Sequence, residues 1–174
     1  MKRPAIFLDR DGTLIEEVNF LSSVADLKIF PFTAEALRVL KNKGFAIIVV
    51  TNQSGIGRGI FGELDMHAIH EKIKRELPGM IEAFYFCPHL PENGCECRKP
   101  GIGMIRTACE DFKLTTEGSW MIGDKSLDIE AGHNAGLSTI LVRTGYGEME
   151  ARHASSSPKF VEKDLLAAAR RIVW

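Results

Sequence analysis

The chain has 174 residues, 45 % apolar and 26 % charged, which is the composition of one soluble globular domain that can bury roughly 70 % of its unfolded surface. Lys and Arg (22) offset Asp and Glu (23) to a net charge of −1, which argues against a nucleic-acid coat or a membrane-surface arm. No apolar run approaches the ~20 residues of a membrane span, and Met1-Lys2-Arg3-Pro4 leads into too short an apolar stretch for a secretory signal, so a cytoplasmic, reducing location without disulfides is expected.

Taken in chain order, continuous apolar runs alternate with segments of helical period. Residues 5–8 read as a buried strand stopping at Asp9. Thr33 can cap a helix with Leu37 and Leu40 on one face, ended by Gly44. A stronger strand, 46–50, ends at Thr51. Met66, Ile69, Ile73 and Leu77 mark a helix broken by Pro78-Gly79, with His67 and His70 expected on its solvated side. A strand at 83–86 precedes Cys87 and an irregular stretch to Pro100. Met104, Ile105, Ala108 and Phe112 form the next helical stripe, in which Cys109 reads as packing. Strand 120–122 runs into Gly123-Asp124, helix 129–135 closes at Gly136, and strand 139–142 precedes Arg143. A Ser155-Ser156-Ser157-Pro158 linker leads to a last helix, 165–172; neither His133 nor His153 has a sequence neighbour that marks it as catalytic. Strands apolar on both faces, separated by helices, predict an α/β fold with a doubly wound, mostly parallel sheet. No insertion is long enough for a separate cap domain, so residues 1–174 read as a single domain, expected to act as a monomer.

In such sheets ligands bind beyond the carboxyl ends of the strands, where Asp9, Thr51 and Asp124 all fall. In Asp9-Arg10-Asp11-Gly12-Thr13, a period of two turns Asp9 and Asp11 to one side and Arg10 to the other. Two carboxylates so close repel unless a cation sits between them, and a hard divalent ion, Mg²⁺, meets that need. Asp124 can complete the metal site with Asp9. Thr51-Asn52-Gln53-Ser54-Gly55 offers a hydroxyl and backbone N–H groups to a phosphate, and Arg98-Lys99 offers positive charge. Asp128 reads either as a helix cap or as a group orienting Lys99 or Lys125.

Asp-x-Asp-Gly-Thr, then Thr, then Lys, then Gly-Asp-x-x-x-Asp, each after a strand, resembles the haloacid-dehalogenase-type (HAD) phosphatase superfamily. The resemblance runs from Asp9 to Asp128. It implies Asp9 as nucleophile, Asp11 as general acid and base, Thr51 and Lys99 holding the transferring phosphoryl group, and Asp9, Asp11 and Asp124 at Mg²⁺. The chemistry suits the residues: an ionised carboxylate attacks phosphorus without a base, and a second carboxyl can protonate the leaving alcohol. A phospho-accepting signalling domain uses similar residues but needs no second Asp to hydrolyse its product.

Cys87-Pro88-His89 and Cys95-Glu96-Cys97 place three thiols and an imidazole within residues 87–97, a tetrahedral zinc set with all four positions filled, hence structural. Such a metal would pin Cys97 and with it Arg98 and Lys99. With this loop, the resemblance narrows to the heptose bisphosphate phosphatases and to histidinol-phosphatase domains that share it. The heptose family implies removal of the C7 phosphate from a small phosphorylated sugar. It also implies substrate contacts from Asp9 through Arg10 to Asp11, from Glu17, Val18, Asn19 and Phe20, from Thr51, Asn52, Gln53 and Ser54, and from Arg98, Lys99 and Lys125. Arg98 would grip the phosphate that stays, since its fork holds two oxygens; histidinol phosphate is the alternative substrate.

Overall fold

Six strands form one parallel sheet in the computed structural model, which describes residues 2–153 and 157–174; Ser155 and Ser156 of the expected linker lie outside the described residues. The strands are β1 (Arg3–Leu8), β2 (Ala46–Asn52), β3 (Ala83–Cys87), β4 (Leu114–Gly123), β5 (Ser138–Val142) and β6 (Phe160–Glu162), in the order β3-β2-β1-β4-β5-β6. Every pair is parallel. The helices are α1 (Thr33–Asn42), the single turn α2 (Ser54–Gly57), α3 (Glu63–Glu76), α4 (Gly103–Asp111), α5 (Ser126–Asn134), α6 (Gly147–His153) and α7 (Leu165–Val173).

The pleat sends alternate side chains into two cores. Ile6, Leu8, Ile47 and Val49 pack on one face with Leu37 and Leu40 of α1, Ile69 and Ile73 of α3 and Leu165 of α7. Ala5, Phe7, Ile48 and Val50 pack on the other with Met104, Ile105 and Ala108 of α4 and Ala131 of α5. Helices on both faces explain the unbroken apolarity of the central strands. Thr33 opens α1 but does not cap it: Phe32 is the N-cap, and the Thr33 hydroxyl donates to the Leu14 carbonyl at 2.8 Å, anchoring the helix to the 9–30 segment instead.

From β1 the chain builds outward through β2 to β3, then crosses back to lay β4 along the other side of β1. Strand order therefore reverses between β1 and β4, which opens a crevice at their carboxyl ends. Among the described residues no helix is long and apolar enough to cross a membrane.

Candidate active site

Asp9 follows β1 directly, and its N–H donates to the Ile122 carbonyl of β4 at 3.0 Å, so pairing with β4 fixes the first residue past the strand. Asp124 follows β4, Asp128 sits in the first turn of α5, and Lys99 enters from the loop after β3. All four are buried. Lys99 Nζ donates to Asp9 Oδ1 (2.8 Å), Asp128 Oδ1 (2.6 Å) and the Val50 carbonyl (2.8 Å). Asp128 Oδ2 accepts the Lys125 N–H at the start of α5 (3.1 Å), so one side chain both caps the helix and orients the lysine.

Burial works to raise the Asp9 pKa, yet Lys99 and Lys125 outweigh it and hold the carboxyl below its ordinary value. Burial likewise opposes the charge on Lys99, and Asp128 and Asp9 more than restore it. Asp128 is pushed up to about 6 by burial against the pull of Lys99, with Asp9 adding to the rise. Asp124 is pushed up to about 9 by burial, reinforced by Asp9 and Asp128.

The Asp124 carboxylate is packed against glycine: a Cβ at Gly12 (φ +81°) or Gly145 (φ +57°) would overlap its Oδ2, and both glycines adopt a backbone that side chains disfavour. Oδ2 accepts the Tyr146 N–H at 2.8 Å, whereas Oδ1 is buried without a hydrogen-bond partner. Oxygens of Asp9, Asp124 and Asp128 lie within 4.8 Å of one another. Three buried carboxylates facing two lysines, one with an orphaned oxygen, fit a hard dication such as Mg²⁺.

Asp11 is placed differently from expectation. Its carboxylate does not join that cluster; Oδ2 accepts Arg10 Nε (2.9 Å) and Gln53 Nε2 (3.0 Å), and Oδ1 accepts Arg10 Nη2 (3.0 Å). The charge of Asp11 is thus answered by Arg10 and that of Asp9 by Lys99. Arg10, expected to contact substrate, is 1 % exposed and points into the protein, where Nη1 meets His70 Nε2 at 3.1 Å. His70, expected in solvent, is buried and stacked on Phe84; burial, then the Arg10 charge, lowers its pKa to about 3.

A cleft of about 180 Å³ opens above these groups, lined by Asp11, by Glu17 through Leu21, by Asn52 through Gly55, and by Arg98, Lys125, Leu127 and Tyr146. Asp9, Thr51, Lys99 and Asp128 line a smaller pocket that shares Asp11, Asn52, Lys125 and Leu127 with it. Val18, Asn19 and Phe20, expected to contact substrate, line the cleft with Ser54. The Asn52 amide is engaged elsewhere: its Nδ2 donates to the Lys99 carbonyl (3.2 Å) and its Oδ1 accepts the Lys99 N–H (3.0 Å), tying the end of β2 to the cysteine loop. Gln53 Nε2 also donates to Thr51 Oγ1 at 2.8 Å. Lys125 pairs with Glu17 (3.3 Å) and lies 4.7 Å from the centre of the Tyr146 ring. Tyr146 and Leu127 escaped the sequence reading; a glycine-flanked aromatic just past the end of β5 was the available signal.

The second cluster lies beside the cleft. Cys87 Sγ is 3.1 Å from Cys97 Sγ and 3.5 Å from Cys95 Sγ, and His89 Nδ1 is 3.3 Å from Cys97 Sγ. All four donors lie within 4.8 Å of one another. A tetrahedron of Zn–S bonds of ~2.3 Å has edges of about 3.8 Å, so thiols and imidazole are gathered at the scale of one ion. Arg98 Nη1 donates to the His89 carbonyl at 3.2 Å, so the loop that gathers the thiols also aims the guanidinium.

A nucleophile-type aspartate and a buried lysine bridging two carboxylates, at the switch point of a parallel sheet without a separate cap, define a HAD-like phosphatase. The HAD-hydrolase-like family model matches residues 96–168. A D-glycero-D-manno-heptose-1,7-bisphosphate 7-phosphatase of Thermosynechococcus vestitus is 38 % identical over 99 % of this chain and 96 % of its own. The D-glycero-beta-D-manno-heptose-1,7-bisphosphate 7-phosphatase of Escherichia coli is 38 % identical over 82 % and 80 %. The crystal structure of D,D-heptose 1,7-bisphosphate phosphatase from B. bronchiseptica, complexed with magnesium and phosphate, superposes with a TM-score of 0.91 at 32 % identity over 98 % of both chains. The chain belongs to the family of D-glycero-D-manno-heptose-1,7-bisphosphate 7-phosphatases.

Proposed function

We propose that this chain is a Mg²⁺-dependent phosphomonoesterase that removes the C7 phosphate of D-glycero-D-manno-heptose 1,7-bisphosphate in the formation of heptose precursors. Residues 1–174 act as one domain, a cytoplasmic monomer with the 87–97 loop inset in it. The observation that carries the reading is the Lys99 bridge between Asp9 and Asp128, set beneath a cleft whose rim holds Arg98 and Lys125. A family of bisphosphate phosphatases and a rim with two cations agree: one phosphate goes to Asp9 and Arg98 grips the other.

Asp9 attacks phosphorus. Lys99 holds its Oδ1, which leaves Oδ2 for attack, and the depressed pKa keeps the nucleophile ionised. As the P–O bond to C7 breaks, Asp11 gives its proton to the departing oxygen. It then takes a proton from water, which attacks the phosphoaspartate and breaks the aspartyl O–P bond to release inorganic phosphate. Thr51 and Lys99 stabilise charge on the transferring group. Mg²⁺, for which Asp9 and the orphaned Asp124 oxygen are the available ligands, supplies further neutralisation of that charge when bound. Cys87, His89, Cys95 and Cys97 hold a structural Zn²⁺ that sets the position of Arg98 and Lys99.

Phosphate release from the α and β heptose bisphosphates, set beside histidinol phosphate, tests the reading. The heptose substrates should be preferred by kcat/KM, and Asp9→Asn should fold normally and be inactive. Preference for histidinol phosphate would replace the substrate; normal turnover by Asp9→Asn would sink the nucleophile assignment.

A further inference from the structure

We propose that His70 is a positioning residue of the reaction, acting through Arg10 to hold the Asp11 carboxylate in one orientation. The inference rests on the reading of Asp11 as the group that moves the proton. Arg10 follows the nucleophile directly but turns away from the cleft into the protein, where it is 1 % exposed. A buried guanidinium needs both its charge and its donors answered. Its Nε and Nη2 close a fork on both oxygens of Asp11, at 2.9 and 3.0 Å. Its Nη1 reaches His70 Nε2 at 3.1 Å, across 60 positions of sequence.

Arg can only donate, so His70 Nε2 accepts and the imidazole is the neutral form with its proton on Nδ1. The ring is itself fixed, stacked on Phe84 of β3 with centroids 4.4 Å apart and planes 24° from parallel. Helix α3 and strand β3 therefore set the plane of the guanidinium, and that plane sets the carboxylate. Among the described residues, Arg10 without His70 keeps no side-chain partner but Asp11, and the plane of the fork is no longer set from the far side. Gln53 completes the grip on Oδ2 at 3.0 Å. Oδ2 thus accepts two donors and Oδ1 one, which leaves Oδ1 as the oxygen with room to carry a proton. Proton transfer in the transition state tolerates little misplacement, so a loosened carboxylate slows both steps in which Asp11 moves a proton; of the two, kcat/KM reads only protonation of the leaving group, because hydrolysis of the phosphoaspartate follows release of the alcohol.

That selectivity separates positioning from a general loss of structure. The heptose 1-phosphate leaves as an alkoxide and needs the proton; the 4-nitrophenol of 4-nitrophenyl phosphate leaves as a stable phenolate and does not. His70→Leu should lower kcat/KM for the heptose substrate about tenfold, the scale of one lost hydrogen bond. Its kcat/KM for 4-nitrophenyl phosphate should stay within about twofold of the parent enzyme. His70→Gln, whose amide oxygen can accept from Arg10, should recover most of the loss. Asp11→Asn is the reference and should show the same selective defect, larger. Equal losses on both substrates in His70→Leu, or none on either, overturn the role of His70 while the Asp11 reference stands. If Asp11→Asn itself shows no selective defect, the proton-transfer reading fails and the inference with it. Arg10→Lys keeps the charge and loses the fork, so it must show the selective loss even if the leucine variant does not fold; its absence there overturns the clamp.

Discussion

Replacing Lys99 by Met tests the electrostatic centre of the site through stability, independently of turnover. The lysine is 3 % exposed and makes three hydrogen bonds, to Asp9, Asp128 and the Val50 carbonyl. Methionine fills much the same volume and satisfies none of them, so two buried carboxylates lose their cation. Removing one partner of a buried ion pair costs about 3–5 kcal/mol, a large share of the 5–15 kcal/mol by which domains are ordinarily stable. The expected outcome is a loss of about 3–5 kcal/mol in urea unfolding without added metal. Adding Asp128→Asn removes one of the stranded charges, and the double variant should regain about 1–2 kcal/mol over Lys99→Met alone. A Lys99→Met protein within 1 kcal/mol of the parent, or strict additivity in the double variant, would refute the picture of a lysine-neutralised cluster.

Two further outcomes follow from other parts of the fold. His70 has a folded pKa of about 3 against an ordinary 6.5, because burial and then Arg10 disfavour its charge. Its unfolded form therefore takes up a proton first, and the stability it contributes is complete above about pH 6.5 and is lost as pH falls toward 3. By 1.36 kcal/mol per unit, the loss at pH 5 is about 2 kcal/mol, and His70→Gln should flatten the stability–pH curve by that amount between pH 6.5 and 5. Curves of equal slope would contradict the buried neutral imidazole. Zinc removal, with Mg²⁺ restored afterwards, should raise KM for the heptose substrate while the domain stays folded, because Cys97 is bonded through the chain to Arg98 and Lys99. Unchanged kinetics in verified zinc-free protein would count against a loop that positions these cations.

The central strands were legible because both their faces are covered, which leaves an uninterrupted apolar run in β1, β2 and β5. β6 was not: Phe160-Val161-Glu162 is a three-residue edge strand with partly exposed side chains, too short to show a period. Helix α6 was hidden for the opposite reason, since Gly147–His153 carries no apolar stripe and its Met149 is exposed. Within the site, strand ends located Asp9, Thr51 and Asp124, and the period of two correctly sent Arg10 away from Asp9. What it could not reveal is that this side is the protein interior. Arg10 is buried with its fork on Asp11 and its Nη1 against His70, and the second of these is a pairing between distant residues that leaves no local pattern. Asn52 was expected to contact substrate, yet its amide Nδ2 and Oδ1 are both engaged by the backbone of Lys99.

The placement of β4 next to β1 has a consequence for biosynthesis. Asp9 is made early, yet the carboxylate that faces it, Asp124, directly follows a strand made more than a hundred residues later. A nascent chain still lacking β4 exposes one flank of β1 and possesses one of the three carboxylates of its acidic centre. Emergence of that strand from the ribosome would seal the open edge, and the turn and helix that follow it bring Asp124 and Asp128 to the waiting Asp9 and Lys99.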